Sequence, residues 1–437
     1  MTKYTSFLEL KDSWRNRSGP AIIYAEGDDK IILSCHDLYE KISSAPSCCE
    51  VIRADHSPQT IIRIFADVIG GHDVILVDEN ISVETEKQIS DVFLPLLPAG
   101  GSRDTGSEGR ILFFTSGTTS RSRAVVLTTK ALLASTWGGQ SMLPCSRSDL
   151  LLSILPLSHV YGFVCGLLWG LCYNARIALG RGDRHIVDDC RYFHPTILPV
   201  VPTMADLLLR MDALNRELKV VLIGAAVPSQ ETLRAFQMRG MQTYTGYGLT
   251  ETSSGLAITK DLSDPLALYI CPGADLKIAS DGEIMVKTEA LMAGYLDPEN
   301  GVINLPLTDD GWFPTGDLGR INDRGALRIT GRKKDMLVLP DGNKISCLEY
   351  ESYLSQELDT GELCVVLADG RPALLYSSRI MRAQVEKAVH SLNRHYPRSR
   401  QIAKLIPREG KLPRTKTGKI MRWMLENEAA LPNNPGR

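Results

Sequence analysis

The chain of 437 residues is short of net charge, of clustered cysteines and of long apolar runs, and each shortage closes off a class of function. Lys and Arg number 49 against 51 Asp and Glu, a formal charge of -2, which argues against a dedicated nucleic-acid binder. The longest apolar run, from Val160 to Tyr173, is broken by glycines, and at about fourteen residues it falls short of the ~20 that span a bilayer. The start, Met1-Thr2-Lys3-Tyr4, has no apolar signal core, so a cytoplasmic protein without a transmembrane segment is expected. The 10 cysteines include the pair Cys48-Cys49 but no C-x-x-C, and most sit in apolar stretches, which suits buried reduced thiols rather than disulfides or zinc. Histidines such as His185 and His194 lack metal-ligand spacing. No Walker A pattern, G-x-x-x-x-G-K-[ST], occurs anywhere, including around Gly418-Lys419-Ile420.

What is present is length and a patterned chain. At this size two domains are expected, a large core with a smaller appended unit. Residues 331–437 carry 19 Lys and Arg against 12 Asp and Glu, a balance of +7, leaving 30 against 39, or -9, for residues 1–330. A basic module on an acidic body suits either a solvated surface or a face that meets polyphosphate or an acidic protein. Apolar runs at Leu151 to Leu155, Thr196 to Val201 and Val220 to Ile223 alternate with helical patterns at Ala205 to Leu214 and Gln230 to Met238, which predicts βαβ units and parallel sheets. Beyond Asp275 shorter strands around Asp281-Gly282 and Asp323-Arg324-Gly325 predict a β-rich subdomain. A charged cluster at Lys334 marks the boundary. The expected fold is therefore α/β: a large domain over residues 1–333 and a small mobile α+β domain over residues 334–437.

Four segments carry chemistry. Thr115-Ser116-Gly117-Thr118-Thr119 follows the buried strand Ile111-Leu112-Phe113-Phe114 and offers hydroxyls and freed backbone N–H groups to a polyphosphate, with Arg121 and Arg123 beside it; taken alone it also suits a plain turn. Gly246-Tyr247-Gly248-Leu249-Thr250-Glu251 opens like a dinucleotide fingerprint but lacks the third glycine. It offers a flat face at Tyr247 for adenine, a hydroxyl at Thr250 for phosphate and a carboxylate at Glu251 for Mg²⁺, although Glu251 equally suits a cap or a surface acid. Thr315-Gly316-Asp317 follows Gly311-Trp312-Phe313-Pro314, so a carboxylate leaves an aromatic-anchored turn able to accept ribose hydroxyls, or to serve the turn alone. The basic loop from Lys411 to Ile420 can deliver a lysine to charge that develops at a phosphate, or be a generic cationic loop. His159 sits beyond a strand pattern, where α/β folds place ligand contacts or a structural histidine.

In this order these segments, with Gly331-Arg332-Lys333-Lys334-Asp335, resemble the adenylate-forming superfamily of acyl-CoA synthetases, nonribosomal-peptide adenylation domains and luciferases, over residues 20–425. Within it, Leu155-Pro156-Leu157-Ser158-His159-Val160-Tyr161 and Leu339-Pro340-Asp341-Gly342-Asn343-Lys344 look most like long-chain fatty acyl-CoA synthetases. The resemblance implies ATP and Mg²⁺ as cofactors and a two-step reaction: a carboxylic acid becomes an acyl-adenylate with release of pyrophosphate, then a thiol takes the acyl group. Coenzyme A is the expected thiol, an acyl carrier protein the alternative. The resemblance assigns Thr115, Ser116, Gly117, Thr118, Thr119 and Arg123 to pyrophosphate, Tyr247 to adenine, Thr250 to phosphate, Glu251 to the metal, and Asp317 and Arg332 to ribose. Gly224, Ala225 and Ala226 would line the adenine and acyl pocket, His159 would gate or border the acyl site, Lys419 would be the adenylation lysine and Lys334 the hinge.

The chain departs from the family pattern where Gly-x-Pro-Lys-Gly usually follows the phosphate loop. It reads Ser120-Arg121-Ser122-Arg123-Ala124 instead, which keeps a cation and reshapes the loop. Little sequence precedes Thr115, so a trimmed N-terminal subdomain is expected. A degenerate relative that binds acyl groups or nucleotides without catalysis is the alternative from another class.

Overall fold

The computed structural model describes residues 1–98, 107–115, 123–340, 344–414, 420–422 and 424–426, without the side chains of 183, 334, 338 and 344. The chain divides into two compact units: Met1–Pro228 with Thr232–Leu276 and Val286–Phe313, and Ser229–Glu231 with Lys277–Met285 and Pro314–Arg437.

The first unit holds two sheets. One runs in the order Leu268–Ile270, Ser254–Thr259, Gln242–Leu249, Val220–Ile223, Ile197–Val200, Leu150–Ser153, Arg176–Leu179, Pro20–Glu26 and Asp29–Ser34. Its middle is parallel, as the alternation of apolar runs and helical patterns requires, and four of these strands are Val-, Ile- and Leu-rich because both faces are covered. Leu152, Leu198, Val200, Val221 and Ile223 interlock there with Phe193, Leu208 and Phe236 in one core. The second sheet has the order Ile303–Asn304, Gly294–Leu296, Ala124–Thr128, Arg110–Phe114, Val74–Val77 and Glu50–Arg53. Helix Thr129–Met142 leaves its strand Ala124–Thr128, capped by the Thr128 hydroxyl, and lies against strand Ser254–Thr259, where Ser135 Oγ accepts from Gly255 N–H at 3.2 Å. One helix thus ties the two sheets.

In the second unit, strands Phe313–Ile321 and Leu327–Arg332 form an antiparallel hairpin. After it come a two-stranded piece, Met336–Val338 with Lys344–Ser346, and a three-stranded sheet of Leu363–Ala368, Arg371–Ser377 and Lys404–Arg408. Helices Cys347–Leu358 and Arg382–Asn393 pack on it through Tyr350, Leu354, Val385 and Leu392. The α/β class, the β-rich stretch after Asp275 and the α+β character of the last hundred or so residues therefore appear as the sequence indicates. The cysteines among the described residues are free, and seven of the ten are buried, while Cys48 is exposed. No helix among the described residues is long and apolar enough to cross a membrane.

Candidate active site

In the first unit the site grows from the point where strand Gln242–Leu249 changes partner. Residues 242–245 pair in parallel with Val220–Ile223, whereas 246–249 pair antiparallel with Ser254–Thr259, with a register shift between Tyr247 and Gly248. The reversal needs a tight return: Thr250–Thr252 make one 3-10 turn, and Ser253 and Ser254 both take positive φ, 51° and 90°. A Cβ on residue 248 would lie 1.3 Å from the Ser254 carbonyl oxygen, so only glycine fits there. Thr252 closes the turn, its hydroxyl accepting from Leu249 N–H at 3.1 Å. Thr250 and Glu251 are left half-buried on the rim beyond Tyr247.

Glu251 is held from strand Gly294–Leu296. Tyr295 donates its hydroxyl to Glu251 Oε1 at 2.7 Å, and Met292 N–H donates to the Glu251 carbonyl at 2.8 Å. The face of the same tyrosine lies 4.8 Å from the Arg123 guanidinium. Burial first, then the Glu251 charge, pushes the Tyr295 phenol above its ordinary range against the opposing pull of Arg123, so the phenol stays a donor. Among the described residues Glu251 Oε2 accepts no hydrogen bond, and a half-buried carboxylate oxygen of this kind fits a hard cation such as Mg²⁺. Arg123 and Thr115 in turn clasp the ends of the phosphate-type loop. Thr115 N–H donates to the Arg123 carbonyl at 3.2 Å, and Arg123 N–H donates to Thr115 Oγ1 at 3.3 Å, continuing the pairing of Phe114 with Ala124. Ser116, Gly117, Thr118 and Thr119 lie outside the described residues.

Gly224, Ala225 and Ala226 follow the carboxyl end of the strand beside Gln242–Leu249. Ala225 has a φ of 68°, and both alanines are exposed. Beneath them the Tyr161 hydroxyl donates to Leu222 O at 2.8 Å, with Val200 O at 3.3 Å, and its ring abuts Gly224, where a Cβ would come within 2.7 Å of Cζ. His159, two residues earlier, is half-buried at the start of helix Val160–Phe163.

The second unit brings Asp317 and Arg332 together. They are register partners across the hairpin, and Arg332 Nε lies 2.6 Å from Asp317 Oδ1. The aromatic-anchored turn expected just before Asp317 lies earlier, where Gly311 N–H donates to Thr308 O and Trp312 N–H to Thr308 Oγ1; Thr315–Asp317 belong to the strand, kinked at Gly316 with φ 74°. Thr308 and Asp310 satisfy that turn locally, and Asp317 faces Arg332 across the hairpin. Glu283, buried, accepts from Gly316 N–H at 2.8 Å and pairs with Lys333, whose ammonium also reaches Asp281 at 2.7 Å. Those two carboxylates, Asp281 foremost, hold the Lys333 ammonium above its usual range. Lys334 follows in the 3-10 turn Lys333–Asp335. Lys419 lies outside the described residues, but the ends of its loop are held: Arg414 bridges Ile420, Met421 N–H donates to Pro413 O at 2.8 Å, and Arg414 reaches Gly361 O at 2.6 Å.

A family model for AMP-binding enzymes matches residues 30–296. The chain belongs to the AMP-binding enzyme family. It is 29% identical over 358 residues to a medium-chain fatty-acid–CoA ligase of Escherichia coli K12, covering 74% of this chain and 62% of that one. It is 26% identical over 332 residues to a 2-succinylbenzoate–CoA ligase of Listeria monocytogenes serovar 1/2a, covering 72% and 69%. The chain thus spans less than two thirds of the length of the fatty-acid ligase. ATP-bound MatB from Rhodopseudomonas palustris superposes with a TM-score of 0.80 over 98% of this chain and 99% of that one at 21% identity, a likeness of fold. The adenylate-forming resemblance read from the motifs therefore holds, and Thr115, Arg123, Glu251 and Tyr295 all fall inside the family match.

In this AMP-binding enzyme the first unit gathers Thr115, Arg123 and Glu251, and separately seats Tyr161 under Gly224; the second unit gathers Asp317 and Arg332. Tyr295 escapes the sequence reading. Its only signal is Gly294, whose φ of 147° and close approach to Asn304 mark a strand pressed against its neighbour.

Proposed function

We propose that the protein activates a carboxylic acid with ATP and passes the acyl group to a thiol, coenzyme A in the first instance. The observation that carries this reading is Glu251, presented on the rim of the strand reversal and tied through Tyr295 to Arg123 at the end of the phosphate-type loop. An acid oxygen attacks the α-phosphorus of ATP; the bond to pyrophosphate breaks and an acyl-adenylate remains. The thiol then attacks the acyl carbonyl, AMP leaves and the thiol proton goes to solvent.

Thr115, Ser116, Gly117, Thr118, Thr119 and Arg123 hold the pyrophosphate end as it departs, Thr250 touches phosphate, and Tyr247 with Gly224, Ala225 and Ala226 borders adenine. Asp317 and Arg332 serve the ribose, His159 borders the acyl group, and Lys419 neutralises charge at the α-phosphate. Glu251 would hold Mg²⁺, whose contribution is to neutralise phosphate oxygens. Residues 334–437, turning about Lys334 as a domain distinct from 1–333, would present the lysine loop for the first half-reaction and withdraw it for the second. The acid is read as fatty or otherwise apolar, in keeping with the fatty-acid and succinylbenzoate ligases the chain resembles. Transfer to an acidic carrier protein is the second reading, favoured by the +7 balance of residues 331–437.

The test is ATP-dependent pyrophosphate release across short, medium, long and aromatic carboxylates, with Lys419→Ala alongside. Release with one class of acid, lost in the variant, supports adenylation and identifies the pocket. Binding of ATP with no release for any acid would replace the catalytic reading by the binding-protein one. Salt-sensitive transfer to a carrier protein, with none to coenzyme A, would select the second reading.

A further inference from the structure

We infer that Tyr295 is a positioning residue of the nucleotide site, one side chain that aims the Glu251 carboxylate with its hydroxyl and seats the Arg123 guanidinium on its ring. The inference rests on the adenylation reading above. Its basis is that three separate constraints converge on one short segment.

First, the backbone register leaves no slack. Gly294, Tyr295 and Leu296 pair with Val126, Val125 and Ala124, so Tyr295 stands across from the residue two places beyond Arg123. Ala293 N–H donates to Val126 O at 2.8 Å and extends the pairing by one residue. On the opposite side strand Ile303–Asn304 presses equally close, because a Cβ on Gly294 would meet Asn304 O at 2.7 Å, so the segment is held between two strands. Second, the same segment grips Glu251 twice: Met292 N–H takes its carbonyl at 2.8 Å and the Tyr295 hydroxyl takes Oε1 at 2.7 Å. A carboxylate fixed at the backbone and at one oxygen has its other oxygen pre-aimed, as groups behind a metal ligand commonly arrange. Third, the ring is not idle, since Arg123 lies over it at 4.8 Å, and an arginine held against an aromatic face surrenders part of its freedom before any phosphate arrives. The cation for the departing pyrophosphate and the carboxylate for its metal are thus referred to one rigid strand.

The experiment is a Mn²⁺ titration of the full chain, followed by electron paramagnetic resonance with a non-hydrolysable ATP analogue present, for wild type, Tyr295→Phe, Glu251→Gln and the double variant. Tyr295→Phe keeps the ring under Arg123 and removes only the hydroxyl. It should weaken Mn²⁺ about 10-fold, within the roughly 10- to 100-fold range for such supporting groups, with the melting temperature and the Kd for metal-free nucleotide unchanged. The double variant should bind no more weakly than Glu251→Gln alone, because the hydroxyl acts only through that carboxylate. Where turnover is measurable, the Mg²⁺ requirement should rise in parallel while the KM for the acid stays put. Wild-type affinity in Tyr295→Phe, or additive losses in the double variant, would overturn the role of Tyr295 and leave adenylation standing. Wild-type protein that holds no Mn²⁺ with nucleotide would overturn both.

Discussion

Arg332 and Asp317 meet across one hairpin at 2.6 Å but meet water unequally, with side-chain exposures of 44% and 4%. The two ends of this ion pair are therefore not equivalent. Removing the aspartate lets the guanidinium relax into solvent, where an ion pair is worth little. Removing the arginine takes a charge partner from a buried carboxylate, which costs more. Arg332→Ala should lower the unfolding free energy by about 1–3 kcal/mol, and Asp317→Ala by less than about 1 kcal/mol. Both should weaken ATP if the pair serves the ribose. Urea unfolding and calorimetric ATP titration of the two variants check this, and equal destabilisation by both would show that burial does not govern the pair.

The strand reversal at residues 246–249 makes two neighbouring glycines unequal. At Gly248 a methyl would lie 1.3 Å from the Ser254 carbonyl oxygen, and at Gly246 the nearest heavy atom is 3.9 Å away. The backbone opposite Gly248 is already committed, since Ser253 and Ser254 both hold positive φ. Gly248→Ala should cost on the order of 3 kcal/mol or more and abolish nucleotide binding, because Thr250 and Glu251 hang from that turn. Gly246→Ala should stay within about 1 kcal/mol of wild type. Thermal unfolding of the pair decides it: a Gly248→Ala protein as stable as Gly246→Ala would mean that the turn tolerates a shift of Ser254.

The parallel core was legible because buried strands such as Val220–Ile223 announce themselves as unbroken apolar runs between helical patterns. Thr115, Arg123 and Glu251 were singled out by type and position. Tyr295 was not, because its placement depends on which strand it pairs with, and pairing across 170 residues of sequence leaves no local trace beyond the glycine before it. The turn before Asp317 was misplaced for a related reason: Thr308 and Asp310 satisfy it through side-chain bonds that composition does not distinguish from those of Thr315 and Asp317. The Tyr161 hydroxyl spanning the Leu222 and Val200 carbonyls is likewise a product of strand order.

Asp67, on helix Pro58–Ile69, offers a test through pH. It is buried, its Oδ1 accepts from Cys48 N–H at 2.8 Å, and its Oδ2 has no hydrogen-bond partner among the described residues. The thiol of Cys48 and the carboxylates of Glu50 and Asp67 converge within 4.8 Å, while Arg63 engages Glu50, with Nε 2.9 Å from Oε1. Burial foremost, with the Glu50 charge adding and the Cys48 amide opposing, pushes the Asp67 carboxyl up to about 7. Its unfolded counterpart ionises near the ordinary carboxylate value of about 4. A group raised on folding contributes its stability in full below the unfolded value and loses it as pH climbs to the folded one, so the wild type should shed stability between about pH 4 and 7 on this account and level off above. Asp67→Asn carries no proton to lose. Its melting temperature should match wild type near pH 4.5 and exceed it by about 2–4 °C at pH 8. Glu50→Gln, which removes the neighbouring charge, should narrow that difference. A gap between Asp67→Asn and wild type that does not change with pH would mean that Asp67 is ionised throughout and that Arg63, rather than a retained proton, compensates it.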